Sequence, residues 1–224
     1  MNILSIGTDK NLFNEKSGVF SRILEYSKLV DNFFVFVFVH KNKGFDYKRS
    51  RNLHIYPINY SSKLFSFFNL YFLMKKVVRG NNLNKKNCLI VSQDPFEVGF
   101  FSWILKNIFK IKLEIQVHND FLNKYYRTQS IRNFFQVILG RFVLRAANQV
   151  RTVSLRSKQS LIKKINLSPE KVLNLPILFF PREEGRNLSR DYFKEKYPDI
   201  KIMVLMASRL VKEKNIGLAI EVFN

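Results

Sequence analysis

Short apolar runs, alternating with longer stretches of helical periodicity, constrain this chain more than any single motif does. The runs lie at residues 2–7, 33–39, 53–58, 88–92, 112–117, 149–153 and 171–175, and the helical stretches fall near 18–31, 62–79, 97–109, 130–147 and 155–166. FFVFVFV, residues 33–39, contains no polar side chain, so a strand built from it must be covered on both faces. Strands of that kind, separated by helices, assemble into a parallel sheet with helices on both faces, an α/β fold. In such open sheets, function collects in the loops at the carboxyl ends of the strands.

The chain has 224 residues, 46% hydrophobic and 25% charged, which suits a globular protein with a sizeable core. Its composition shifts over PREEGRNLSRDYFKEKYPD, a charged stretch punctuated by Pro181, Gly185 and Pro198. The expected organisation is a first domain over 1–180, a linker with a short helix over 181–199, and the incomplete start of a second domain over 200–224. In that last segment IKIMVLM reads as a buried strand and NIGLAIEVF as an amphipathic helix. No apolar run reaches the roughly 20 residues needed to span a bilayer, and MNILSIG runs straight into a strand without a leader pattern. Cys88 is the sole cysteine, which excludes an internal disulfide and any multi-cysteine metal site and points to a reducing, cytoplasmic setting.

The formal charge of +21 calls for an anionic partner or reflects a drift toward Lys, Asn, Phe and Ile. Two basic, aromatic segments, SSKLFSFFNLYFLMKKVVRG and RTQSIRNFFQVILGRFVLRAANQVR, have the pattern of helices that lie against anionic lipid headgroups. For the second, a helix packed on the sheet with a solvated polar face is the favoured expectation. Specific nucleic-acid binding is not indicated, because the sequence has charge but no zinc finger, basic zipper or aromatic RNA-binding strand motif.

Four loops and the chain's last segment carry the candidate chemistry. GTDKNLFNEKSGVF enters a helix through Ser17 and Gly18, and a glycine at a helix N-terminus lets backbone amides approach a phosphate. Arg22, one turn on, is a candidate anion contact or a solvated helical arginine. A Gly-x-Gly-x-x-Gly pattern is absent, so a dinucleotide cofactor is not expected. In SQDPFEVGF, Asp94 and Pro95 read as the cap and opening residue of a helix. In LEIQVHNDF, His118 falls just past a strand with Asp120 two residues later, and in RTVSLRSKQSL, Ser154 reads as a cap first and a ligand contact second. Finally, ASRLVKEKNIGLAIEVF puts Arg209 and Lys214 between strand and helix, where Arg209 would grip a diphosphate bidentately and Lys214 would add a point charge.

Taken in order, SQDP, QVHNDF, RTVS, Leu175-Pro176 and SRLVKEK resemble the family 4 glycosyltransferases, GT-B enzymes built from two Rossmann-like domains. The resemblance runs over nearly the whole chain, with departures. Ser208 and Asn215 stand where the family's phosphate loop has glycines, Asn119 stands for the glycine of a His-Gly-Asp-Phe-type segment, and no aspartate follows Leu175-Pro176. It implies metal-independent transfer, with retention, of a sugar from a nucleotide diphosphate sugar, which is a co-substrate rather than a cofactor. The implied acceptor is lipid-linked or a saccharide, at an anionic membrane surface, in cell-surface polysaccharide or glycolipid synthesis. By the same resemblance His118 takes the catalytic position near the sugar ring, stabilising charge rather than attacking. Gly18, Arg209 and Lys214 hold the donor diphosphate, and Arg22 and Asp120 are candidate acceptor or anion contacts. Glu213 and Glu221 share the spacing of the family's Glu-x7-Glu pair but belong to a different loop. With most of a donor domain missing, the chain alone is expected to be inactive. Two other readings stand beside this one: a non-catalytic acceptor-domain remnant that binds membrane or saccharide, and an α/β module that binds polyanions through charge alone.

Overall fold

β1 (Asn2–Gly7) lies inside an eight-stranded sheet whose spatial order is β3-β4-β2-β1-β5-β6-β7-β8. The other strands are β2 (Phe33–His40), β3 (Lys48–Ser50), β4 (Leu53–Tyr60), β5 (Cys88–Ser92), β6 (Lys112–Val117), β7 (Gln149–Thr152) and β8 (Val172–Asn174). Every pairing is parallel except that of β3 with β4. Helices α1 (Gly18–Ser27), α2 (Lys63–Gly80), α3 (Glu97–Phe109), α4 (Lys124–Thr128), α5 (Ile131–Ala146) and α6 (Leu155–Ile165) connect them. From β1 the chain first builds outward through β2 and β4, then returns and builds the other way from β5, so a topological switch point falls between β1 and β5. The computed structural model describes residues 1–40, 44–60, 63–176, 194–208, 210 and 214–223, and the chain divides into two units, residues 1–180 and 181–224.

The sheet is apolar on both sides at its centre, as FFVFVFV requires. One core joins Leu4, Ile6, Phe34, Phe36 and Ile90 to residues of α2, α3, α5 and α6; the other joins Ile3, Val35, Val37, Ile55 and Val91 to residues of α1. Phe33 through Val39 are all buried, and each such side chain contributes about 1.5–3 kcal/mol relative to exposure. The second side changes character beyond β5. The register aligns Val91 with Glu114 and Gln116 with Arg151, so this face turns polar where α1 ends its cover.

Several expectations need correction. β3 and α4 were not expected; they span three and five residues, too short for a periodic signal. A left-handed Arg51 (φ 54°) sits in the β3–β4 turn, and the Asn123 side chain caps α4 by accepting from Tyr125 N at 3.0 Å. Asp94 does not cap α3, nor does Pro95 open it. Ser92 Oγ donates to the Asp94 carbonyl (2.8 Å) and Phe96 N donates to Asp94 Oδ1 (2.8 Å), an Asx turn that delays the helix to Glu97. Ser154 does cap α6, accepting from Ser157 N at 3.2 Å. The outward face of α5 is not a solvated polar face, because Ile131, Phe134, Phe135, Ile138 and Phe142 are exposed along it.

In the second unit, residues 194–196 form a helical turn and α7 (Ile216–Phe223) forms as expected. The expected strand over 200–206 does not form: residues 202–207 carry no regular structure, and Ile202 and Leu205 are 81% and 87% exposed. A strand draws its stability from a ladder partner and covered faces, and among the described residues nothing pairs with this run. Arg209, Glu213 and most of the expected linker, 181–193, lie outside the described residues. Among the described residues, no helix is long and apolar enough to cross a membrane.

Candidate functional site

The polar patch on the sheet and the adjoining helix α1 enclose a cleft of about 540 Å³, lined in part by Arg22, Gln93, Glu114, Gln116, His118 and Arg151. It runs along the α1 side of the sheet past the switch point to the carboxyl edge. Each side chain is placed by simple local rules. Ser17 caps α1 by accepting from Phe20 N at 3.0 Å, and Arg22 then follows one turn in, on the same wall as Val19 and Ile23. Strand alternation sends Glu114, Gln116 and His118 to one side of β6, and parallel pairing sets Arg151 beside Gln116. Gly7 ends β1 without a side chain, which lets the Gln93 amide fold over it; a Cβ at Gly7 would lie 1.8 Å from Gln93 Oε1.

Electrostatics set the protonation of the site. His118 is accessible from the cleft, yet surrounding protein strips enough hydration to hold its imidazole below the ordinary histidine value. Arg151 and then Arg22 push it further down. The imidazole is therefore neutral near pH 7, able to donate from one nitrogen and accept at the other. Burial raises Glu114 above the usual carboxylate range, against smaller opposing effects from a Gln116 hydrogen bond and Arg151. Arg151 Nε is buried and makes no hydrogen bond to the described residues. Two guanidinium groups and a neutral histidine in one cleft form a cationic floor suited to an anionic or polyhydroxylated ligand.

The structure thus brings Arg22 and His118 together but separates other candidates. Gly18 starts α1 at the carboxyl edge, with open space where a Cβ would be. Asp120 turns toward α6 and accepts from Ser160 Oγ at 2.9 Å. Lys214 is exposed in the second unit. Arg151, Gln93, Glu114 and Gln116 were missed in the sequence, although polar residues at alternate positions of LEIQV already signal an uncovered strand face. On the opposite side of the sheet a second cavity, about 280 Å³, opens among Thr8, Tyr60, Asp94, Glu97, Arg132 and Gln136. A hydrogen-bond chain fixes its polar wall: Tyr126 OH donates to Gln136 Oε1 (2.7 Å), Gln136 Nε2 to Glu97 Oε2 (3.4 Å) and Arg132 Nη2 to Glu97 Oε1 (3.2 Å).

The first unit is an α/β Rossmann-like domain with a ligand-sized cleft beside its switch point. No protein-family model matches the chain, and no curated protein matches it in sequence. Solved structures do match. One is a glycosyltransferase from Rickettsia africae (16% identity, TM-score 0.55, 99% of this chain and 56% of that one). Another is Arabidopsis thaliana UGT89C1 complexed with UDP-L-rhamnose (12%, TM-score 0.50, 99% and 61%). A third is the UDP-GlcNAc 2-epimerase of Methanocaldococcus jannaschii (11%, TM-score 0.51, 78% and 45%). The chain spans less than two thirds of each, and less than half of the epimerase. At these identities the shared property is the Rossmann-like fold of GT-B proteins.

Proposed function

We propose that the chain is the acceptor-side part of a retaining glycosyltransferase of family 4 type. It would move a sugar from a nucleotide diphosphate sugar to a membrane-associated or saccharide acceptor in cell-surface polysaccharide or glycolipid synthesis. The observation that carries this reading is the cleft at the carboxyl edge, where a neutral His118 faces two arginines beside the switch point. His118 would hydrogen-bond the transferring sugar and stabilise charge as it develops, an electrostatic role rather than a covalent one. Arg22 and Arg151 would neutralise an anionic group of the bound substrates. The first-turn amides at Gly18 would hold the diphosphate, a reading supported by the open space where a Gly18 Cβ would stand, and Arg209 and Lys214 would complete its grip. The donor serves as co-substrate, without a metal, and the working position is the cytoplasmic membrane face. Asp120, held by Ser160, would support the His118 loop more than contact the acceptor.

The test joins this chain to a complete donor domain, titrates that protein with UDP-L-rhamnose and UDP-GlcNAc, and assays UDP release with an acceptor extract. Turnover that drops at least tenfold in His118→Ala, with donor affinity little changed, supports the reading. Saturable saccharide binding without UDP release would make the chain a binding module instead. Full turnover after Arg209→Ala or Lys214→Ala would remove the diphosphate grip.

A further inference from the structure

The outer surfaces of α2 and α5 repeat one pattern. One stripe of exposed positions in α2 runs Phe65, Phe68, Asn69, Phe72, Lys76, Arg79, and one in α5 runs Ile131, Phe134, Phe135, Ile138, Phe142, Arg145, with Gly80 and Arg132 exposed beside them. Both therefore follow the spacing i, i+3, i+4, i+7, i+11, i+14, a single stripe along a helix. Each stripe is apolar over its first two turns, save for Asn69 in α2, and cationic at its end. Neither helix contains an aspartate or glutamate.

The two stripes belong to one surface. α3 lies between them, and a run of ring contacts crosses all three helices. Phe68 meets Phe67 (5.9 Å), Phe67 meets Phe101 (5.2 Å), and Phe101 meets Phe100 (6.4 Å). Phe100 then meets Trp103 (5.6 Å), and Trp103 meets Phe142 (4.9 Å). Phe72 and Phe135 are 63% and 62% exposed, an arrangement that a solvated protein surface rarely tolerates. Because α2 follows β4 and α5 follows the β6 loop, the apolar ends of both helices sit at the carboxyl edge. The smaller cavity opens there, among Ser66 of α2, Glu97 of α3 and Arg132 and Gln136 of α5.

The structure assigns this α2–α3–α5 face as a docking surface for an anionic lipid bilayer. Aromatic rings enter the headgroup boundary at the carboxyl edge, and Lys76, Arg79 and Arg145 engage lipid phosphates behind them. Charge decides the occupant. A second copy of this chain, at +21, would bring cations against cations, whereas an anionic bilayer complements the surface. The docking does not depend on sugar transfer, but it would bring a lipid acceptor to the edge where the cavity opens.

Trp103 is the only tryptophan in the chain and reports on this face. The full 224-residue chain is mixed with vesicles of phosphatidylcholine alone or with phosphatidylglycerol, including brominated phosphatidylglycerol. Binding is read by sedimentation and by quenching of Trp103 emission. Expected are sedimentation with the anionic vesicles only and strong quenching by the brominated lipid. Lys76→Gln with Arg145→Gln should weaken partition about twenty-fivefold, from roughly fivefold (~1 kcal/mol) per charge. Phe72→Ser with Phe135→Ser, both exposed and so tolerated by the fold, should abolish quenching while the far-ultraviolet circular dichroism stays unchanged. No sedimentation with anionic vesicles overturns the assignment. So does sedimentation without Trp103 quenching, which would place the contact elsewhere on this basic chain. A dimer broken by the same serine pair, with no vesicle binding, would assign the face to a second copy.

Discussion

Gly140→Ala should change the sign of its effect on stability when Phe121 is shortened. Gly140 lies on α5 facing Phe121, and an added Cβ would sit 2.9 Å from Phe121 Cε2 and 3.0 Å from Cζ. The Phe121 ring is 1% exposed and meets Phe96 edge to face at 5.2 Å, so it has little room to swing aside. Replacing glycine by alanine inside a helix gains roughly 1 kcal/mol in backbone entropy and propensity. Forcing an extra methyl into a packed core costs about 1–3 kcal/mol. The second effect wins, and Gly140→Ala alone should lower stability by about 1 kcal/mol. Phe121→Leu removes both offending atoms; its own cost should stay below the roughly 3–5 kcal/mol of full truncation to alanine. In that background the methyl fills freed space, and Gly140→Ala should raise stability by about 1 kcal/mol. The coupling between the two sites is then about 2 kcal/mol. Urea unfolding of the four proteins measures it directly. An additive cycle, with Gly140→Ala equally favourable in both backgrounds, would refute the packing argument. The outcome also bears on the cleft, since Phe121 anchors the loop that begins at His118.

Three further outcomes follow from the site and core. The His118 ring should titrate below the ordinary histidine range, by proton NMR, and Arg151→Gln should move its midpoint upward, since Arg151 is the larger of the two charge effects; an unmoved midpoint would place Arg151 too far away to matter. Because the folded-state value is depressed, the contribution of this histidine to stability is present above its unfolded value and declines as pH falls through that range. Gly18→Ala should leave the unfolding free energy within about 0.5 kcal/mol, because its Cβ meets open space, while weakening nucleotide-sugar binding; unchanged affinity would take the α1 amides out of the donor site. Burial pushes the Cys88 thiol up to about 12, so at pH 8 it should react with a thiol reagent only as fast as the protein unfolds, and fast labelling of the folded chain would contradict its placement.

How much the sequence discloses depends on which physical signal each element leaves. β2 was legible because a strand covered on both faces must be apolar throughout, and FFVFVFV meets that demand. The position of His118 was legible because it directly follows the strand-like run LEIQV. The remainder of the cleft was written in β6 and β7, where Glu114, Gln116 and Arg151 recur on one side, but their weight appears only once neighbouring strands set the register. α5 misled for a related reason. It carries two apolar stripes, one through Val137, Gly140 and Leu144 toward the core and one through Phe134, Phe135 and Ile138 toward solvent, and periodicity alone cannot say which is covered. The run at 200–206 misled because apolar content invites burial, whereas a strand also requires a partner.

β2 has one more consequence. A seven-residue stretch of phenylalanine and valine without charge or proline has the makings of an amyloid zipper, and this protein keeps it between β1 and β4. Beyond β4 lies β3, only three residues long and carrying Lys48 and Arg49, a charged selvedge that discourages another chain from adding to that side. The hairpin is thus a guard for the strand one position further in. Any condition that frays β3 and β4 before the rest of the sheet opens should convert the protein to fibrils, with β2 as the seed.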